Sequence, residues 1–298
     1  MHCGWHQVAF EREISSELAA AAIGDRRLIL VRRPDGCGAF EAACPHRGAH
    51  LAHGGRLDGD AVICPFHGRR IGLGASSGSH YQVHSFRTLA IGGLVFVLLD
   101  ERHDHGFAAL MAELDRTHFF VPGFTLTART SPELVIENGF DRGHFRAVHG
   151  LEKRPDLRLL AGDDGELAVE GIFLTSGVNP WQTAPAVGES TEIRFFARVF
   201  SPNLCVTQLG EGEGQYLVLS AASPGADGGA IIRVSLAVPA RNGAVPAPGV
   251  IRALLRDSRL AYEQDLTIWE NLVPGAPSCL APDDDLVQAF HDFSRSFL

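Results

Sequence analysis

Two short motifs in the first quarter of the chain carry side chains that commonly bind metals. The first, C-P-H-R-G, supplies Cys44 and His46, and the second, C-P-F-H-G, supplies Cys64 and His67. The prolines and glycines predict that each motif forms a sharp loop. Two thiolates can bind one iron of a [2Fe–2S] cluster while two imidazoles bind the other. A zinc ion accepts the same four side chains, although zinc sites usually pair cysteine with cysteine within one motif.

A second group of ligand-type residues follows the pattern D-x-x-H-x-x-x-x-H, with Asp141, His144 and His149 at its defined positions. We expect a helix over residues 137–148, interrupted by two glycines, in which Asp141 and His144 are neighbours because residues three apart share a face. Two histidines and one carboxylate, with open positions, are the usual site for iron(II) that activates oxygen. Alone, the pattern is a weak indicator of an iron site. The alternative is a structural helix whose histidines bind no metal.

Besides Asp141, a further candidate for the carboxylate ligand lies on a long helix that we predict over residues 249–272. On this helix Tyr262, Asp265 and Trp269 fall on one face at spacings of three and four. An aspartate within an apolar stripe is costly unless it is paired or bound to a metal. Asp265 is therefore the predicted third ligand, in preference to Glu263 and Glu270, which point elsewhere.

These motifs resemble those of a known family. The paired Cys–His motifs and the flanking sequence over residues 3–100 are similar to Rieske iron–sulfur domains. The segment that begins at Asn138 resembles the mononuclear iron site of ring-hydroxylating oxygenases that contain such a domain. The stretch around Asp265 resembles the 3-ketosteroid 9α-hydroxylase and cholesterol 7-desaturase branch of that family.

The resemblance implies two cofactors, a Rieske-type [2Fe–2S] cluster and a mononuclear Fe(II). It also implies that the aspartate of the second pattern transfers an electron from a Rieske histidine of a neighbouring subunit to the iron. The residues to which the resemblance assigns roles are Cys44, His46, Cys64 and His67 for the cluster, His144, His149 and Asp265 for the iron, and Asp141 and Asn138 for catalysis.

The function implied is that of the oxygenase component of a multicomponent system. A ferredoxin or flavin reductase would supply electrons, and O2 would be used to hydroxylate or desaturate a small, mostly apolar substrate such as a steroid, terpenoid or specialised metabolite. The resemblance further implies a homotrimer. Demethylation at oxygen or nitrogen, and oxidative cyclisation, are alternatives within the family. From another class, a Rieske electron-transfer protein is the alternative, although it leaves the second half of the chain unexplained.

The elements that position these residues are predicted as an α+β fold. Residues 1–102 contain short apolar runs separated by turn residues, which is typical of an all-β domain. Residues 103–298 mix strands and helices, and the resemblance implies a helix-grip catalytic domain with a curved antiparallel sheet. The segment 175–191, which contains Pro180, Trp181 and Pro185, is a candidate pocket-lining loop, with an ordinary surface loop as the alternative.

The composition disfavours several other classes of function. The 298 residues carry a formal net charge of −9 and are 45% hydrophobic, which predicts a globular protein and disfavours nucleic-acid binding. The most apolar stretch, residues 89–99, is too short to span a bilayer, and the first residues do not resemble a secretory leader. Six cysteines in a chain of this length indicate free thiols or metal ligands. We therefore expect a cytoplasmic protein.

Overall fold

The computed structural model describes residues 2–34, 36–75, 78–175, 190–240, 245–273 and 279–298. Most of the predicted pocket-lining loop, residues 176–189, lies outside these ranges. None of the described helices is both long enough and apolar enough to span a membrane.

In the first third of the chain, the described residues form ten strands arranged in two sheets. The strands are β1 (Trp5–Phe10), β2 (Leu18–Ile23), β3 (Arg26–Arg33), β4 (Gly36–Glu41), β5 (Arg56–Asp58), β6 (Ala61–Ile63), β7 (Arg70–Leu73), β8 (Gln82–Val83), β9 (Ser85–Ile91) and β10 (Leu94–Leu98). The larger sheet has the order β1-β10-β9-β4-β3-β2 and is antiparallel throughout. The smaller has the order β5-β6-β7-β8. The first Cys–His motif connects β4 to β5, and the second connects β6 to β7.

The described residues in the rest of the chain form one antiparallel sheet and five α-helices. The helices are α1 (Phe107–Thr117), α2 (Pro132–Glu137), α3 (Arg142–Ala147), α4 (Pro248–Trp269) and α5 (Asp285–Arg295). The strands are β11 (His118–Ala128), β12 (Arg158–Ala161), β13 (Leu167–Thr175), β14 (Thr191–Ser201), β15 (Leu204–Leu209), β16 (Tyr216–Pro224) and β17 (Ala230–Pro239). Their order in the sheet is β11-β17-β16-β15-β14-β13-β12. Helix α4 packs on this sheet, where the Tyr262 hydroxyl donates to the Ser220 hydroxyl at 2.5 Å.

The predicted helix over residues 137–148 is wrong in its bounds. The structure has two short helices, α2 and α3, with a break at 138–141. Asp141 causes the break because its carboxylate accepts hydrogen bonds from the backbone N–H groups of Gly143 and His144, which begins a new helix. Aspartate is among the residues most favoured at this capping position. Asp141 therefore lies at the start of α3 rather than on its face.

The two halves of the chain share a hydrophobic cluster. Trp5 of β1 and Phe96 of β10 pack against Phe107 of α1, with ring centroids 5.5 and 5.0 Å apart. Phe107 in turn contacts Phe200 of β14 at 5.4 Å. The predicted domain boundary, between residues 102 and 103, falls in the connection from β10 to α1 and stays a prediction.

A second cluster supports the helix that carries His144. Phe173 of β13 is fully buried and packs against Phe145 of α3 at 4.6 Å and Phe195 of β14 at 4.5 Å. Since Phe145 directly follows His144, this aromatic cluster fixes the position of α3 against the sheet.

We predict that Phe173→Ala lowers the free energy of unfolding by about 3–5 kcal/mol, because it leaves a cavity in a packed core. The neighbouring Ile172 is 50% exposed and serves as the control, with Ile172→Ala expected to change the value by less than about 0.5 kcal/mol. Urea unfolding of the two variants measures the difference. Equal effects at the two positions would contradict the assignment of Phe173 to the core.

Candidate functional site

The two Cys–His loops have the same backbone geometry. In the first loop, Cys44 N–H donates to the Ala49 carbonyl at 2.8 Å, and Gly48 N–H donates to the Cys44 carbonyl at 2.7 Å. The second loop repeats both bonds at Cys64 and Gly68, at 2.8 and 3.0 Å. Both glycines have positive φ, +74° and +67°, which a residue with a side chain rarely adopts. Each loop is thereby a tight turn that presents one cysteine and one histidine.

The four side chains meet as two pairs. The Cys44 and Cys64 thiols hydrogen-bond to each other, and the His46 and His67 rings lie 4.8 Å apart. Nδ1 of His46 is buried without a hydrogen-bond partner, which is the state expected of a ligand atom that faces a cofactor.

This pairing distinguishes between the two cofactors that the sequence allowed, a [2Fe–2S] cluster and a zinc ion. A tetrahedral zinc ion would place all four donor atoms about 3.3–3.8 Å from one another, given its bond lengths. The four side chains do not form a group of three or more donors within 4.8 Å, although two other sets of described residues do. A thiolate pair next to an imidazole pair fits the two irons of a Rieske cluster better than one zinc ion.

The residues predicted to bind the mononuclear iron do come together. The ligand atoms of His144, His149 and Asp265 all lie within 4.8 Å of one another. Nε2 of His149 is 3.4 Å from Oδ1 of Asp265, and the two histidine rings are 5.0 Å apart. Helix α3 and the turn after it supply the histidines, and α4 supplies the aspartate. His149 and Asp265 are only 6% and 7% exposed, so the group is shielded from bulk water.

Hydrogen bonds fix the orientation of both imidazoles in this group. Nδ1 of His144 donates to the Asp141 carbonyl at 2.7 Å, and Nδ1 of His149 donates to Oε1 of Gln264 at 2.9 Å. Because oxygen acceptors require a proton on Nδ1, the lone pair of each ring is on Nε2. Histidines that bind metals characteristically donate their other N–H in this way.

Burial sets the charges of the three side chains. It lowers the pKa of His149 to about 4 and also lowers the pKa of His144, so both rings are neutral at neutral pH, as metal ligands must be. Burial raises the pKa of Asp265 to about 7, opposed by a hydrogen bond from Asn138. A buried carboxylate beside two neutral imidazoles has no ionic partner within the triad, and a divalent cation would supply one.

A cavity of about 100 Å³ opens onto the three ligands. Its lining is mostly apolar and includes Ile136, Phe195 and Val218. The polar side chains on its wall include the Tyr262 and Ser220 hydroxyls. The cavity thus offers an apolar space, with a hydrogen-bonding edge, beside a candidate metal centre.

Of the other residues singled out from the sequence, Asn138 lines this cavity and hydrogen-bonds to Asp265. Asp141 is half-buried at the start of α3, where its carbonyl contacts the His144 ring. The sequence reasoning missed Gln264, which orients His149. Its position directly before Asp265 was the available signal, but a polar residue at one helix position does not reveal a partner 115 residues away.

Comparison with known proteins gives two independent matches. Residues 4–90 match the family described as the Rieske [2Fe-2S] domain. The whole chain superposes on NdmA from Pseudomonas putida CBB5 with caffeine, with a TM-score of 0.71 and 17% identity over 98% of this chain and 89% of that one. Residues 4–90 therefore form a Rieske [2Fe–2S] domain, and the chain as a whole has the fold of NdmA. The predicted Rieske domain and α+β fold class are confirmed, and the domain match agrees with the predicted [2Fe–2S] cluster.

Other known proteins are also similar to this chain. Dicamba monooxygenase bound to 3,6-dichlorosalicylic acid has a TM-score of 0.70 and 19% identity, over 99% of this chain and 97% of that one. Cholesterol 7-desaturase from Bombyx mori is 28% identical over 169 residues, which are 52% of this chain and 37% of the desaturase. The Drosophila melanogaster desaturase is 24% identical over 49% of this chain and 38% of its own length. The matches thus span well under half of each desaturase.

We predict that Gln264→Leu weakens iron(II) binding at the triad by about 10–100-fold, because the His149 ring loses the acceptor that fixes its orientation. Competition with a chelator measures the affinity. Glu263→Gln is the control, since Glu263 lies on the exposed side of the same helix turn and pairs with Arg259. Equal affinity in the two variants would contradict the orienting role.

Proposed function

We propose that the chain is the oxygenase component of a multicomponent Rieske system, using O2 and electrons from a ferredoxin or flavin reductase to hydroxylate or desaturate a small, mostly apolar substrate. The observation that carries the proposal is the buried triad of two neutral histidines and one aspartate beside an apolar cavity. In the same chain, the Rieske match supplies an electron carrier. The second centre and its cavity favour this function over that of an electron-transfer protein alone.

Each motif has one role in the proposal. Cys44, Cys64, His46 and His67 would hold the [2Fe–2S] cluster, which would supply one-electron chemistry. The side chains of His144, His149 and Asp265 would hold iron(II) beside the cavity. The iron, when bound, would supply the activation of oxygen.

Asp141 and Asn138 each contact one of these ligands. Asp141 contacts His144 through its carbonyl and caps α3 through Oδ1 of its carboxylate. We assign it the electron bridge between His144 and a cluster histidine of another subunit. Asn138 holds the Asp265 carboxylate by a hydrogen bond. It thereby restricts the orientation in which this carboxylate meets the metal.

The size of the cavity limits the size of the substrate. At about 100 Å³ it is smaller than the roughly 300–1,000 Å³ typical of pockets for drug-sized ligands. Its size favours a compact substrate over one as large as a steroid. Because the Tyr262 hydroxyl donates to Ser220, the Ser220 hydroxyl proton is free to bond an oxygen on the substrate. The proteins to which this chain is similar are named for, or bound to, compounds of several sizes, namely cholesterol, dicamba and caffeine.

The proposal includes a homotrimer in which the cluster of one subunit serves the iron of its neighbour. The surface beside the cluster loops supports such a contact, because the Phe66 side chain is 56% exposed and lies 3.8 Å from the His67 ring. An exposed aromatic side chain of this kind is typical of a docking surface. A reducing, cytoplasmic location is also part of the proposal, since the six cysteines form no disulfide.

The triad is tested by Asp265→Ala. We expect the variant to lose mononuclear iron and at least ~100-fold of its O2-dependent substrate oxidation, while it keeps labile sulfide and the visible spectrum of the cluster. Asp257→Ala is the matched control, because Asp257 is a buried carboxylate on the same helix that pairs with Arg256. Retention of iron and turnover in Asp265→Ala would exclude this residue as a ligand.

The electron bridge is tested by Asp141→Asn. Asparagine caps helices as well as aspartate does, so α3 and the triad are retained while the negative charge is lost. We expect reoxidation of the reduced cluster in a single turnover to slow by about 10–100-fold, with iron content unchanged. Asp163→Asn, on an exposed turn, is the control. An unchanged rate in Asp141→Asn would remove the bridge from the proposal.

A further inference from the structure

A second group of metal-binding side chains lies away from the iron triad. The donor atoms of Cys3, Asp100 and His103 all lie within 4.8 Å of one another, and all three residues are half-buried. The group forms where β1 and β10 meet, since Asp100 N–H donates to the Cys3 carbonyl at 2.9 Å. The last residues of the chain close the same point, where Cys3 N–H donates to the Phe297 carbonyl at 3.1 Å.

A chain of hydrogen bonds fixes the tautomer of His103. Nδ1 of His105 lies 3.3 Å from the Asp164 carbonyl, which can only accept, so this nitrogen carries the proton. Nε2 of His105 is then an acceptor for the Nδ1 proton of His103, 3.4 Å away. The lone pair of His103 is therefore on Nε2. A ligating histidine typically donates its other N–H to an acceptor in this manner.

The backbone conformation at His105 is unusual, and it holds the ring in the hydrogen bonds just described. His105 has φ +46°, and among the described residues it is the one non-glycine residue with positive φ. Such conformations cost free energy and occur most often at functional sites. The rings of His103 and His105 also lie 4.7 and 5.0 Å from the buried Phe297 ring. These contacts place an apolar ring against one side of the site.

We propose that Cys3, Asp100 and His103 bind a divalent cation of the zinc class, with His105 as a positioning residue and water completing the coordination. One thiolate, one imidazole and one carboxylate are ligands that zinc accepts together. The thiol proton leaves to solvent when the metal binds. Bound there, the cation joins the first strand to the connection between the two halves of the chain.

Two present contacts must give way when the metal binds. The Asp100 carboxylate forms a bidentate ion pair with the Arg102 guanidinium, but the Arg102 side chain is 82% exposed, and solvent weakens an exposed ion pair. The bond that Asp100 Oδ1 accepts from the Arg102 backbone N–H at 3.0 Å can stay while the metal replaces the guanidinium. The Cys3 thiol donates to the Phe297 carbonyl at 3.0 Å, and a thiol is a weak donor. Neither contact competes strongly with a metal bond.

The test uses the full chain with both iron centres loaded, incubated with one equivalent of zinc and freed of unbound metal. X-ray absorption at the zinc edge is expected to show a single sulfur at about 2.3 Å with nitrogen and oxygen at about 2.0–2.2 Å. Cys3→Ser is expected to lose the sulfur and at least ~100-fold in affinity. Cys279→Ser, at an exposed cysteine, is the control and is expected to match the parent protein.

Three results would overturn the proposal, and each is distinct. Zinc bound only by nitrogen and oxygen in the parent protein would place it in the iron triad, and two sulfurs would place it in the cluster loops. Failure to retain zinc would exclude the site. If Cys3→Ser does not fold, His103→Gln replaces it, with the same expected loss of affinity. Iron and sulfide contents, measured in parallel, test the oxygenase function separately, so either idea can fail without the other.

Discussion

The site depends on one unfavourable arrangement, a carboxylate buried beside two neutral imidazoles. Asp265 cannot be ionised at low cost in this place without a cation, because burial raises its pKa to about 7 despite a hydrogen bond from Asn138. His149 cannot supply that cation, since burial lowers its own pKa to about 4. A divalent metal resolves both problems at once. The groups around the triad are best understood as the means of keeping this arrangement ready for the metal.

Three parts of the fold hold the candidate ligands in place. The break at Asp141 starts a new helix and turns its carbonyl towards His144. The aromatic cluster around Phe173 packs α3 against the sheet. Helix α4 carries both Asp265 and Gln264, so the helix that supplies the carboxylate also orients a histidine. The ligand geometry is therefore a consequence of packing between α3, α4 and the sheet.

Most of the candidate ligands could be picked out from the sequence because their spacing is local. The two Cys–His motifs and the D-x-x-H-x-x-x-x-H pattern each lie within a few residues, and the aspartate stood out on an apolar helix face. The helix break was missed because the capping role of Asp141 competes with its helical neighbours, and pattern alone does not show which prevails. Gln264 was missed because its partner is distant in sequence.

The cluster of Cys3, Asp100 and His103 was missed for the same reason. Cys3 is almost a hundred residues from its two candidate partners, and only the pairing of β1 with β10 brings them together. Asp100 and His103 lie on either side of the predicted domain boundary at residue 102. Sequence spacing identifies sites within one loop or helix, whereas sites made by strand pairing become visible only in the fold.

The most direct test of the account is the ratio of iron to acid-labile sulfide per chain in anaerobically purified protein. A [2Fe–2S] cluster together with one mononuclear iron requires about three irons to two sulfides, and the account predicts that ratio. About two irons to two sulfides, persisting after iron(II) is added back, would contradict the mononuclear centre and leave an electron carrier. Zinc without sulfide would contradict both centres.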